Sequence, residues 1–372
     1  MKRSGIALAA VVAALVSAAP AGAATWIVDD NGLDCLDANQ VSIQAAVTAA
    51  APGDNIKVCA GVYNEEVDIA KPDLKLYSTP KRAAIIKAPP TITASSDKAI
   101  VNISASGVSL ERFTITGPGP GPCDTLRYGV FVTGGSGVLV KDNRITLIQD
   151  TPFSGCQNGI GLRVGSQFLE FAADADVTDN LVDNYQKGGI VIDGEGTNAL
   201  VQQNRTDGAG STPVTAQNGI QISRDATAEV LTNIVEDNTY ALAPATSATG
   251  ILLFQLDGGV LVKQNNATRN DDNIGVYETT GSTLEQNDLV QSTFYDGLYM
   301  SDDAPGNLIR LNFMRNNMEH DCHDDGAPGA NAWENNDGVT ENQPGLCFPD
   351  GGDKPGRQTE SNRRLGGQVF VP

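Results

Sequence analysis

Glu278, Asp302 and Asp303 are carboxylates of the type that glycoside hydrolysis uses. That reaction needs an acid and a base or nucleophile about 5–9 Å apart, a separation that neighbouring strands about 4.8 Å apart would supply. In a chain this rich in Asp, the Asp302-Asp303 pair reads more simply as turn chemistry. Removing a proton beside a uronate carboxylate needs a different set. Arg163 and Arg224 are candidate bases, and Asp193 with Asp225 could hold calcium to neutralise the carboxylate. Arg163 and Asp193 read more simply as a surface ion pair. Both histidines of the chain fall in Glu319-His320-Asp321-Cys322-His323-Asp324-Asp325, a run that could bind a metal or trade protons. The reading preferred for it is the shaping of a cap. Phe254, Tyr277 and Tyr299 add aromatic faces on which a sugar ring could stack, or which inserted loops could cover.

What must position these groups is a ladder of matched short segments. Gly129-Val-Phe-Val, Gly159-Ile-Gly-Leu, Gly189-Ile-Val-Ile, Gly219-Ile-Gln-Ile, Gly250-Ile-Leu-Leu, Asn273-Ile-Gly-Val and Gly297-Leu-Tyr-Met follow one another at intervals of 30, 30, 30, 31, 23 and 24 residues. Each anchor is followed by an Asn that closes a second apolar stretch: Asn143, Asn180, Asn204, Asn233, Asn265, Asn287 and Asn312, with Asn335 extending the series and Arg112 standing where it would begin. Short alternating strands at a fixed period predict a solenoid of stacked coils. Coils of about 23 residues with three short strands predict a parallel β-helix. Asn suits the ladder because it tolerates left-handed backbone and can hydrogen-bond to its copies.

At these residues the sequence resembles the right-handed parallel β-helix repeat proteins, the superfamily of pectate lyases, pectin methylesterases, polygalacturonases and alginate epimerases. The resemblance spans about residues 40–347. It implies an all-β fold, a single right-handed parallel β-helix of three-stranded coils with an Asn ladder, and a groove along one sheet walled by turn loops. It is nearly silent on reaction, because one coil pattern hosts many chemistries. The Gly-His-Gly of polygalacturonases and the Asp-Pro-His-Glu of alginate epimerases have no counterpart here, and Cys123-Asp124-Thr125-Leu126-Arg127 echoes only a fragment of the methylesterase pattern.

Ser42-Ile-Gln-Ala-Ala-Val-Thr-Ala-Ala-Ala-Pro-Gly reads as a short capping helix, with Ser42 as N-cap and Ile43, Ala46, Val47 and Ala50 on one face. Distances between ladder Asn and next anchor place extra loops near Asp150–Gln157, Gly208–Gln217 and Thr239–Thr249. A fourth insertion holds Phe168, Phe171, Asp174 and Asp176. Loops concentrated on a rigid scaffold predict a cleft over the anchor strands of the central coils. Strand alternation predicts that Phe131, Gly161, Val191, Gln221, Leu252, Gly275 and Tyr299 point outward. The next outward step is Thr133, Arg163, Asp193, Ser223, Phe254, Tyr277 and Ser301.

Residues 1–24 read as a secretory signal, residues 25–348 as the capped β-helix and residues 349–372 as a disordered tail. Loss of Lys2 and Arg3 with the signal moves the net charge from −20 to −22. Such a charge disfavours nucleic acid and anionic membranes, and no later segment is long and apolar enough for membrane insertion. Six Cys in an exported chain predict three disulfides, paired locally as Cys35 with Cys59, Cys123 with Cys156 and Cys322 with Cys347. The expectation is a secreted or periplasmic monomer that acts on or binds extracellular polysaccharide as a lyase, epimerase or hydrolase, with calcium the one cofactor indicated. A non-catalytic surface or adhesion protein is the rival reading. A copper-assembly role is the third, and two His and four Met argue against it.

Overall fold

The computed structural model describes residues 22–93, 97–242 and 246–347. Most of the expected signal and the whole expected tail lie outside them. The chain winds as a parallel β-helix. A ten-stranded sheet carries one strand from each successive coil: Val67–Ile69, Ala99–Ile103, Tyr128–Val132, Ile160–Val164, Gly188–Asp193, Asn218–Ser223, Thr249–Asp257, Asp272–Thr280, Leu298–Met300 and Cys322–Asp324. The remaining strands form the other walls, and pairs such as Ala199 with Ala228 run parallel like the rest. Side chains alternate across these strands. Val130, Leu162, Ile190, Ile220, Ile251, Ile274 and Leu298 therefore stack as one inward column, all fully buried. Burying one such side chain contributes about 1.5–3 kcal/mol, so the repeated column is the main source of stability.

Register corrects one anchor. Leu162 pairs with Val130 and Ile190, so Gly161, not Gly159, aligns with Gly129 and Gly189. A Cβ on Gly161 would stand 2.8 Å from the Gly189 carbonyl, and one on Gly129 would stand 2.6 Å from that of Gly161, which is why these two positions are glycine.

The Asn ladder is present, but its physical job differs from that read in the sequence. Left-handed φ belongs to the residue before each ladder Asn: Asp142, Asp179, Gln203, Thr232, Gln264, Gln286 and Leu311 all have φ between 54° and 60°. The Asn side chains bond between coils. Asn204 donates from its backbone N–H and its side-chain amide to the Asn233 carbonyl oxygen (2.9 and 3.1 Å), and Asn233 repeats this on Asn265. The same offset corrects both ends. Asn336, not Asn335, accepts from Asn312, while Phe113, not Arg112, occupies the first slot and donates its N–H to Asn143.

The helix forms as expected over Ile43–Ala49. Ser42 accepts from Ala45 N–H, and Ile43, Ala46 and Val47 are buried. Glu65 accepts from the Ser42 hydroxyl and from Ile43 and Gln44 N–H, which satisfies the open helix start. The three disulfides have the expected pairing, and Cys322–Cys347 closes the last coil. Asp174 and Asp176 fall in the strand Asp174–Thr178 and not in an inserted loop. Among the described residues, no helix is long and apolar enough to cross a membrane.

Candidate functional site

The outer face of the ten-stranded sheet divides into two regions. Over the earlier coils the hairpin around Ser166–Phe171 folds back, so that Phe131 and Val191 are buried beneath Leu169 and Phe171. Over the later coils the face is open. A cleft of about 560 Å³ lies there, its floor and walls formed by Leu252, Phe254, Asp272, Tyr277, Tyr299 and His323, with Lys187, Asn218, Ala216 and Glu319 around them. Thr246 and Ser247 wall one side. They belong to the insertion at 239–249, which Asp271 anchors by accepting from Tyr240 and Ala248 N–H.

Three columns of side chains meet in this cleft. One runs Gln221, Leu252, Gly275, Tyr299, His323, and a second runs Ser223, Phe254, Tyr277. The third begins Asn218, Thr249, Asp272 and continues through Asp296 to His320. Gly275 leaves a gap. A Cβ there would meet the Tyr277 ring at 3.0 Å, so the glycine gives that ring room to lie across the floor. Tyr277 and Tyr299 then sit with ring centroids 5.3 Å apart.

The third column concentrates ionisable groups. Asp272 accepts from Asp296 N–H at 3.1 Å, and Asp296 accepts from His320 N–H at 2.9 Å. The other Asp296 oxygen lies 2.8 Å from His323 Nδ1, His323 Nε2 lies 3.0 Å from Asp325, and the Tyr299 hydroxyl donates to Asp325 at 2.9 Å. Burial pushes the Asp272 carboxyl up to about 7, reinforced by the neighbouring Asp296 and Asp271. Burial acts to lower His323, yet its contacts with Asp296 and Asp325 prevail and raise it to about 9. Burial also raises Tyr277 and Tyr299, which stay neutral donors. The neutral Asp272 carboxyl therefore stands next to Asp296, whose side chain meets the His323 imidazolium.

The description "right handed beta helix region" matches residues 99–343. The chain belongs to the right-handed β-helix family. No curated protein matches it. Among solved structures, "the complex structure of XylC with xylose" aligns over 84% of this chain and 70% of that one, at 11% identity and a TM-score of 0.56. Pectate lyase Pel9A aligns over 87% and 79% of the two chains (12% identity, TM-score 0.45). The mannuronan C-5 epimerase AlgE4 A-module of Azotobacter vinelandii aligns over 79% and 90% (13% identity, TM-score 0.44). At this identity the XylC likeness speaks to the fold alone.

Within this β-helix protein the sequence-derived candidates separate into groups. Phe254, Tyr277 and Tyr299 all line the cleft. Arg163 and Arg224 do not. Arg163 is buried, not on the surface, with a guanidinium nitrogen on one Asp193 oxygen, while Arg224 and the Ser223 hydroxyl take the other, both at 2.6 Å. Asp193 is wholly buried and its oxygens are committed to two cations, so it offers nothing to calcium. Asp225, Glu278 and Arg224 line a shallower neighbouring cleft, where Glu278 accepts from Gln255. Asp303 caps the Glu278 N–H and accepts from Ser301, which is the turn role, while Asp302 lies exposed in that turn.

Sequence reasoning missed Asp272, Asp296 and Lys187. The signal was available. Asp272 and Asp296 each stand one residue before an anchor, Asn273 and Gly297, whereas only positions after the anchors were read as outward. The cap reading of His320 and His323 is half of the picture: Cys322 closes the coil, and His323 lines the cleft.

Proposed function

We propose that this protein hydrolyses glycosidic bonds of an extracellular, weakly charged polysaccharide in the cleft over its later coils. The observation that carries the reading is the Asp272–Asp296 pair on adjacent coils, set beside the Tyr277–Tyr299 platform. Glycoside hydrolysis needs one carboxyl that is protonated and one that is not. Asp272, neutral up to about pH 7, is the proton donor to the leaving oxygen. Asp296 is the base that activates water, held in place by His320 N–H and His323. Tyr277 and Tyr299 offer the faces on which a pyranose ring stacks.

Charge favours this over uronate elimination. The cleft offers no net positive field: with Asp272 neutral, Asp296 and Glu319 stand against Lys187 and His323, while Arg163 and Arg224 are engaged with Asp193 outside it. A polyanion would find no net attraction there. Three disulfides support an exported protein, since such bonds persist in oxidising compartments.

The test is incubation with a panel of neutral and uronate polysaccharides, following reducing ends and unsaturated products in parallel. New reducing ends from a neutral polymer, absent with Asp272→Asn, are expected. Unsaturated products from a uronate polymer would overturn hydrolysis in favour of elimination. Sugar binding without any product would leave a non-catalytic binding protein.

A further inference from the structure

We propose that Asp296, His320 and His323 form a binding site for one borderline divalent transition metal, of which zinc is the type. The three side chains each present one ligand atom, and these atoms all lie within 4.8 Å of one another. His320 Nδ1 is 3.4 Å from one Asp296 oxygen, and His323 Nδ1 is 2.8 Å from the other. Two ligands each about 2.0–2.1 Å from a tetrahedral zinc stand roughly 3.3 Å apart; both Asp296 contacts lie within about half an ångström of that, and the two histidine nitrogens, within 4.8 Å of each other, close on it by rotation of the rings. Two imidazoles and one carboxylate also leave a coordination position free, the arrangement of a zinc site open to water or substrate.

Two independent features point to a ligand. The first is His320 Nδ1, which is shielded from solvent and has no hydrogen-bond partner. A buried ring nitrogen without a partner is costly, and a metal would satisfy it. The second is the far side of His323. Its Nε2 meets Asp325 at 3.0 Å, and Asp325 is itself held by the Tyr299 hydroxyl at 2.9 Å. A carboxylate behind a histidine fixes the ring and its tautomer so that the other nitrogen faces a metal. Here that other nitrogen is Nδ1, on the side of Asp296 and His320. Hard cations such as calcium prefer all-oxygen sets of six to eight ligands, so imidazole donors select against them.

The site shares the cleft with the proposed hydrolysis but does not rest on it. Metal on Asp296 would remove the base assigned there, so zinc is expected to inhibit turnover while binding with one equivalent per chain. Binding is measured without turnover, by titrating the purified, metal-stripped protein with zinc calorimetrically and with cobalt(II) by visible absorption. The expected result is one equivalent of zinc, competition with cobalt, and a cobalt absorption of tetrahedral intensity. His320→Ala and His323→Ala should abolish that absorption, and Asp325→Asn should weaken zinc by about 10- to 100-fold. Unchanged far-ultraviolet circular dichroism of each variant shows that the coil still closes. An octahedral cobalt spectrum, or zinc binding that survives both histidine substitutions, would overturn the proposal by assigning the metal to surface carboxylates. A metal site with no hydrolysis, or hydrolysis with no metal site, separates the two readings.

Discussion

Asp272 and Asp296 occupy the same register on adjacent coils, with the Asp296 N–H donating to the Asp272 carboxyl at 3.1 Å. The bond ties the position of one carboxyl to the backbone of the next, so their separation is set by the coil stack and not by a loop. Asp272→Asn keeps the shape and removes the proton donor. It should lower kcat by about 10²–10⁴-fold on substrates whose leaving group needs protonation, with KM little changed. In the parent protein, activity should fall as pH rises through about 7, where Asp272 loses its proton. A pH–rate profile that keeps its alkaline limb in Asp272→Asn would remove Asp272 from the acid role.

The same group makes a stability prediction of defined sign. The folded Asp272 carboxyl binds its proton up to about pH 7, whereas an unfolded Asp releases it near 4. Its contribution is therefore fully present below about pH 4 and is lost as pH rises to about 7. Asp272→Asn should flatten the dependence of unfolding free energy on pH across that window, which denaturant titrations at several pH values would show.

Tyr277 and Tyr299 do different work although their rings lie side by side. Tyr277→Ala should weaken oligosaccharide binding by about tenfold through loss of a stacking face. Tyr299→Phe keeps the face and loses only the hydroxyl that holds Asp325, so binding should change little while the pH profile of turnover shifts through His323. Calorimetric binding of an oligosaccharide, set beside pH profiles of the two variants, separates these effects.

The fold was legible because a solenoid writes its period directly into the sequence, and stacked Ile, Val and Leu columns leave little freedom of interpretation. The cleft was half legible. Phe254, Tyr277 and Tyr299 were found because strand alternation alone sends them outward. Asp272 and Asp296 were hidden by their place before the anchor, where the strand begins, and by an Asp-rich background in which Asp271, their neighbour, only holds a loop. Arg163 and Asp193 were read as exposed because nothing in the repeat announces that the hairpin around Ser166–Phe171 folds back over the sheet.

Asp193 should prove a stability residue. Burial acts to raise the Asp193 carboxyl, but Arg163 and the hydrogen bonds from Ser223, Gln167 and Arg224 together prevail and hold it below the usual carboxylate range. The group therefore adds stability above about pH 4 that disappears as pH falls through the lower folded value. Asp193→Ala leaves two guanidinium groups unpaired and should cost about 3–5 kcal/mol. Asp225→Ala, exposed one coil edge away, should change stability by less than about 1 kcal/mol. Comparable losses for the two in urea unfolding would refute the buried-clamp reading.

Thr232 and Asn233 are neighbours in one turn of the ladder, and they should respond to substitution in opposite directions. Thr232 carries φ 54°, a left-handed conformation that a β-branched residue adopts at a cost of about 1–2 kcal/mol. Thr232→Gly relieves that strain and should stabilise by a good part of it. Asn233 is fully buried, accepts from the backbone and side chain of Asn204, and donates to the Val201 carbonyl and to Asn265. Asn233→Ala keeps the backbone bond from Asn233 N–H to Asn265 but strands the Asn204 N–H and the Val201 carbonyl in the core. At about 1–3 kcal/mol for each unsatisfied group, the loss should be on the order of 3–5 kcal/mol. Thermal unfolding of the two variants decides between the two jobs an Asn could do in a ladder. If Asn supplied left-handed backbone, the position before it would be indifferent; because it bridges coils, the midpoint should rise for Thr232→Gly and drop steeply for Asn233→Ala.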